Sequence, residues 1–178
     1  RHCMTEAQLS NAMDAYGSTV YRLALTRMQN IADAEDVYQE VFLRLWKQAA
    51  EDWDGDRAKA WLIRTTLNRC ADLHRFRLRR PVLSFAEIPD LAQPEDESRE
   101  LWEAVSRLPE KARTAVHLYY AEGYSAEEIS QLMHIPAATV RTRLHRARKQ
   151  LKELLGGIDD ETCVSRSDGT NFGPQRAE

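Results

Sequence analysis

Apolar residues recur at steps of three and four along most of this chain, and nowhere do they alternate one by one. Leu9, Met13, Tyr16, Val20 and Leu23 set the pattern in the first segment. Such spacing lines one face of a helix and cannot line one face of a strand, so the chain is restricted to an all-α fold. It predicts a first amphipathic helix over residues 5–29. A second follows with Asp33 as its N-cap, Val37, Val41 and Leu45 inward, and Tyr38, Phe42 and Trp46 widening that stripe. A third runs from Arg57 to Arg79 with Ile63, Leu67, Cys70 and His74 on one side. Three helices of this length make a small bundle, assigned to residues 5–80. Residues 81–97 hold Pro81, Pro89 and Pro94 and no period, so they read as an extended acidic linker. A second small helical domain is expected over 98–156, with Pro109 in the first turn of a helix that Gly123 ends. The polar, aperiodic residues 157–178 read as a disordered tail.

Composition excludes several classes. With 43% hydrophobic residues over 178 positions the chain can bury a core, and no run of about 18 apolar residues exists to span a bilayer. Arg1–Met4 lacks the apolar stretch of a secretory signal. Cys3, Cys70 and Cys163 make an odd count without a C-x-x-C spacing, which points to a reducing, cytoplasmic location.

The net charge of −3 hides a strong pattern. From Arg64 to Arg80 six arginines face Asp72 alone, and from Ile129 to Lys152 six bases face no acid. The segments 31–57 and 81–98 each carry a local −5. One charge run usually means a solvated helix face. Two basic blocks on two helices suggest two contacts with a polyanion, and the acidic segments suggest a protein partner.

The second basic block has a recognisable frame. Ser125 and Glu128 form a capping box, the break His134-Ile135-Pro136 follows, and in a long helix from Ala137 to Leu155 the residues Val140, Leu144, Ala147, Leu151 and Leu154 step along one apolar stripe. At about 100° per residue, Thr142, His145, Arg146 and Lys149 point away from that stripe, with Arg141 on its flank. A short helix, a tight turn and a basic second helix make a helix-turn-helix, whose second helix enters the DNA major groove. Arg141 or Arg146 could bridge guanine O6 and N7, while Arg143, Arg148 and Lys149 suit phosphates. The competing reading of this segment by itself is a helical hairpin with a basic exposed face.

Three stretches, in order, carry a resemblance. Asp33-Ala-Glu-Asp-Val-Tyr-Gln-Glu-Val-Phe-Leu-Arg-Leu-Trp46 resembles the most characteristic stretch of the bacterial RNA polymerase sigma factors. Trp61-Leu-Ile-Arg-Thr-Thr-Leu-Asn-Arg-Cys-Ala-Asp-Leu-His-Arg75 is similar to their promoter-melting helix, and Leu108 to Leu155 to their C-terminal helix-turn-helix. The short two-module chain resembles the extracytoplasmic-function (ECF) group. The resemblance implies that Asp36, Gln39, Glu40 and Arg44 dock on the clamp of core RNA polymerase, with the flap as a further contact. It implies that Asn68 reads a flipped base of the −10 element. Around it, Arg64, Arg69, Arg75, Arg77 and Arg79 would hold phosphates, and Trp53 would either wall the base pocket or close the bundle. Trp61 is assigned to the core first and to DNA second. The −35 element would be read through Thr139, Arg141, Thr142, His145 and Arg146. His134 and Ala138 stand where the family often has Gly. The acidic linker would thread the polymerase near the RNA path, and an anti-sigma factor is the expected regulatory partner.

Two other readings of the chain remain at this level. A stand-alone helix-turn-helix regulator leaves the 33–46 helix and the first basic block without a role. A metal-dependent enzyme would rest on Cys70 and His74, four apart, without a second ligand pair. No phosphate loop, serine elbow or His-Glu-x-x-His is present. Polymerisation chemistry would belong to the polymerase, so neither catalysis nor a cofactor is expected of this chain.

Overall fold

The computed structural model describes residues 4–47, 55–79 and 96–156. Among these, seven α-helices and one π-helical turn account for the regular structure: α1 (Glu6–Met28), α2 (Ile31–Trp46), α3 (Gly55–Arg79), α4 (Asp96–Ser106), α5 (Glu110–Val116), the π turn His117–Ala121, α6 (Ala126–Met133) and α7 (Ala137–Leu154). The all-α expectation holds, and no strand occurs among the described residues. The expected linker lies outside them up to residue 95, and α4 begins two residues before the expected start of the second unit. Arg1–Cys3 and residues 157–178 also lie outside.

A capping box starts α1, with Thr5 Oγ1 accepting from the Gln8 amide and the Gln8 side chain accepting from the Thr5 amide. The helix ends at Gln29, whose φ of 50° is left-handed, and the chain turns at once into α2. There the sequence expectation needs correction: Asn30, not Asp33, caps α2, its side chain accepting from the Asp33 amide at 3.0 Å. Asp33 sits inside the first turn and pairs with Arg77 of α3. Both residues suit an N-cap by type, and periodicity does not choose between two positions three apart.

The N-terminal unit packs Val20, Ala24, Leu25 and Met28 of α1 against Val37, Val41, Phe42 and Leu45 of α2, with Leu62 and Cys70 of α3. At Gly17 the face of α1 leaves room for Tyr38 of α2, whose hydroxyl oxygen would stand 3.0 Å from an added Cβ. Tyr38 in turn stacks obliquely on Phe42 at 4.7 Å.

The second unit wraps α4, α5, α6 and α7 around Leu108, Ala115, Leu118, Ile129, Val140 and Leu144. Its apolar cluster does not stop at the unit's edge. Leu23 of α1 and Ile63 and Leu67 of α3 belong to the same cluster, so the two units share a core. The third helix therefore splits the stripe read from the sequence: Ile63 and Leu67 face the second unit, whereas Cys70 faces the N-terminal bundle. Burying an Ile or Leu side chain contributes about 1.5–3 kcal/mol, so this contact is energetically substantial.

Candidate nucleic-acid interface and docking face

Three helix faces remain open to solvent, and the sequence-assigned residues fall mostly on them. On α2, burial of Val37, Val41 and Leu45 turns Asp36 and Gln39 outward, with Glu40 and Arg44 half exposed. Arg44 Nε donates to Glu40 Oε1 at 2.9 Å, an exposed i,i+4 pair of small energetic weight. Two apolar side chains join this surface: Leu43 is 47% and Trp46 48% exposed. Trp46 was expected to widen the buried stripe; at the last turn of α2 it reaches past the bundle instead. Leu43 was not singled out, yet its angular position opposite the Val37–Val41–Leu45 stripe was readable.

On α3, taking Asn68 as zero at about 100° per residue, Arg57, Trp61, Arg64, Asp72 and Arg75 all fall within about 40° of it. Asn68, Arg64 and Arg75 are exposed and Trp61 is half-buried against the bundle. Leu62, Ile63 and Thr66 on the inward side are buried, and Thr66 donates to the Leu62 carbonyl at 2.8 Å. Arg75 is held by Asp72 at 2.6 Å. The result is an amide flanked by guanidinium groups on one solvent-facing stripe.

Arg77 belongs elsewhere. It lies about 180° from Asn68 and pairs with Asp33, whose side chain is only 10% exposed. Burial pushes the Asp33 carboxyl up from its ordinary range, and the Arg77 guanidinium pulls it back down. A fold-holding ion pair therefore occupies the arginine that the sequence reading gave to phosphate. Arg69, about 100° from Asn68, is half-buried. The Arg79 side chain and Trp53 lie outside the described residues.

On the helix-turn-helix, the Ser125–Glu128 capping box is present in full. His134 ends α6 in the left-handed region, φ 53° and ψ 48°, and the Ile135 amide closes the turn on the Ser130 carbonyl at 3.1 Å. A non-glycine residue there costs of the order of 1 kcal/mol in backbone strain. The turn thus keeps its form without the glycine. Val140, Leu144 and Ala147 are buried, leaving Arg141, Thr142, His145, Arg146, Arg148 and Lys149 exposed; Thr139 and Arg143 are half-buried at the flanks. Arg141 pairs with Glu127 of α6, both side chains about 60% exposed. An ion pair so open to water contributes little and is easily exchanged for a phosphate or base. Thr142 donates its hydroxyl to the Ala138 carbonyl at 2.9 Å.

Residues 12–80 match the family profile Sigma-70 region 2, and residues 98–151 match Sigma-70, region 4. The chain belongs to the sigma-70 family, ECF group. It is 34% identical to the ECF RNA polymerase sigma factor SigE of Mycolicibacterium smegmatis over 161 residues, covering 84% of this chain and 62% of SigE. It is 29% identical to SigW of Bacillus subtilis, covering 82% of this chain and 88% of SigW. Identity to SigM of the same organism is 32%, covering 82% of this chain and 94% of SigM. Among solved structures, the sigma factor RpoE in complex with the anti-sigma factor NepR from Bartonella quintana superposes with a TM-score of 0.71 at 24% identity, covering 84% of this chain and 98% of that one. CnrH in complex with the cytosolic domain of CnrY gives a TM-score of 0.61 at 25% identity, covering 87% and 92%.

In this sigma factor α1–α3 carry the region 2 match and α4–α7 the region 4 match. No helix among the described residues is long and apolar enough to cross a membrane. Cys70 packs in the N-terminal core, where burial pushes its thiol up to about 12, while His74 lies 3.8 Å from Glu110. Among the described residues no group of three or more His, Cys, Asp and Glu gathers at metal-binding distance.

Proposed function

We propose that this sigma factor docks on the clamp of core RNA polymerase through Asp36, Gln39, Glu40 and Arg44, with exposed Leu43 and Trp46 adding apolar contact. The docked chain directs polymerase to promoters bearing two elements. Thr142, His145, Arg146 and Arg141 read the −35 element in the major groove, and Arg143, Arg148 and Lys149 hold its phosphates. The α3 stripe reads and melts the −10 element: Asn68 takes the edge of an unstacked base, and Arg64, Arg75 and Arg79 hold the displaced strand's backbone. Arg69 is a flanking phosphate contact. Initiation chemistry stays with the polymerase. An anti-sigma factor, the class of partner named for the RpoE and CnrH relatives, is the proposed regulator.

The observation that carries this reading is the exposed Asn68 amide at the centre of a cationic stripe, on a chain whose other basic helix is the second helix of a helix-turn-helix. A duplex-only regulator has no use for that stripe. Charge reversal tests the docking assignment: Asp36→Lys with Glu40→Lys is expected to weaken binding to sigma-free core polymerase at least tenfold while leaving helicity unchanged. Unaltered core affinity would remove α2 as the docking face.

A further inference from the structure

The reading helix outruns the core that supports it. Cys70 is fully buried in the N-terminal cluster, yet none of Ala71 to Arg77 is buried, although α3 continues to Arg79. That last stretch is roughly 13 Å of helix, and a helix end with so little burial frays. Leu73 gives it an apolar contact with the N-terminal core. His74 leans toward the second unit, 3.8 Å from Glu110. Near the end, Arg77 crosses to α2, where its Nη2 donates to Asp33 Oδ1. The anchor there is firm: the Asn30 side chain accepts from the Asp33 amide at 3.0 Å, and Ala34 and Val37 beyond it are fully buried. Asp33 Oδ2 is buried without a hydrogen-bond partner, so Arg77 gives this carboxylate its ion pair.

Because Arg77 lies on the side of α3 opposite Asn68, fastening it to α2 fixes which way the solvent-facing stripe points. Arg75 falls about 20° from Asn68 on that stripe and about two turns further along, beyond the last buried residue. Asn68 is steadied by Leu67 and Cys70, buried on either side of it. Arg75 has its pair with Asp72, but both belong to the same helix end and move with it. The alignment of Asn68 with Arg75 therefore depends on the end of α3 staying helical and in place. Opening a duplex needs both at once, a grip on the unstacked base and a grip on the backbone of its strand.

We propose that Arg77 is a positioning residue for promoter opening: through Asp33 it fastens the end of α3 to the docking helix and keeps Arg75 in line with Asn68, without touching DNA itself. The role in opening rests on the −10 reading proposed above; the fastening of α3 does not. The sign of its effect is distinctive. Asp33 is an acid packed against a DNA-reading helix, so by charge alone its removal would tighten DNA binding and release Arg77 to a phosphate. A fastening role demands the reverse, a loss of opening, because the end of α3 comes loose.

Asp33→Ala is the test, because alanine favours the helix and leaves no buried charge behind. Arg77→Lys is its conservative companion, retaining a cation for Asp33. Hydrogen exchange on the free full chain reads the fastening: in Asp33→Ala, amides 73–79 should exchange about tenfold faster or more, while amides 58–70 stay within about twofold of the parent and circular dichroism is unchanged. Arg77→Lys should remain close to the parent throughout. With core polymerase and a promoter recovered from a randomised library, Asp33→Ala should lower permanganate reactivity of the −10 thymines, relative to closed complex, about fivefold or more at unchanged core affinity. Opening equal to or better than the parent's in Asp33→Ala would overturn the positioning role. So would exchange that quickens evenly along α3, or a loss of core affinity as large as the loss of opening. Loosened amides 73–79 in a chain that opens no promoter with core polymerase would uphold the fastening and overturn the proposed function instead.

Discussion

Replacing Arg113 with Ala should be the most damaging single polar truncation in the described structure. Its guanidinium is buried and donates to the carbonyls of Thr26, Arg27, Ser106 and Leu108, two of which close the end of α1. Those carbonyls are the negative end of a 23-residue helix, so the site favours a cation as well as a donor. Burial lowers the Arg113 pKa and the nearby Glu110 carboxylate raises it, consistent with a charge that is partly compensated within the contact. A hydrogen bond from a charged group contributes about 1.5–3 kcal/mol, but bonds that share one side chain do not add. Breaking a buried charged network costs about 3–5 kcal/mol, the figure expected here. For a chain of this size that corresponds to a fall in melting temperature of roughly 6–20 °C. Arg113→Lys should recover less than half of the loss, because one ammonium cannot serve carbonyls spread across a guanidinium fork. Calorimetry on the full chain measures both. A loss below about 1 kcal/mol for Arg113→Ala would mean that the four carbonyls find water and that Arg113 does not tie the units together.

Three further outcomes are expected. Asn68→Ala should impair promoter opening more than closed-complex formation, seen as lost permanganate reactivity at the −10 thymines with retained gel-shift binding; equal loss of both would reduce Asn68 to a general DNA contact. Arg146→Ala should cost about 1–3 kcal/mol on the cognate −35 sequence and much less on scrambled DNA, measured by competition binding, whereas equal losses would make it a phosphate contact. The fold should also lose stability in acid. Burial lowers the His117 pKa below 6.5, with Glu122 opposing that shift and Arg22 reinforcing it, so the folded chain holds this ring neutral and the unfolded chain binds the proton. Stability from this group is therefore complete above the free-histidine pKa and declines as pH falls below about 6.5. The melting temperature should fall between pH 7.5 and 5.5, and His117→Gln should flatten the fall; an equal pH dependence in the variant and the parent would contradict the assignment.

Much of this was legible in the residues. The three- and four-residue spacing fixed the helices because a buried stripe is a property of one segment, and Ser125 with Glu128 marked a helix start because both partners of a capping box lie within four residues. The faces of α2 and α7 followed from the same arithmetic, including exposed Leu43, which was there to be read. What failed depended on partners distant in sequence. Asp33 suits an N-cap until Asn30 takes the position and Arg77, 44 residues away, claims the carboxylate. Ile63 and Cys70 share a stripe in sequence but face different units. Arg113 and His117 are polar residues of a kind that ordinarily meets water on a surface helix; here α5 is buried nearly all round. The π turn has no composition of its own, and Thr19, which Glu122 meets, lies 103 residues away.

The most direct test of the central claim is in vitro transcription with sigma-free core polymerase on a randomised promoter library, sequencing RNA 5′ ends with and without this chain. Starts focused downstream of a two-part motif, with its halves near −35 and −10 and present only when the chain is added, are the expected result. Tight binding to duplex DNA by a chain that neither binds core polymerase nor yields such starts would contradict it.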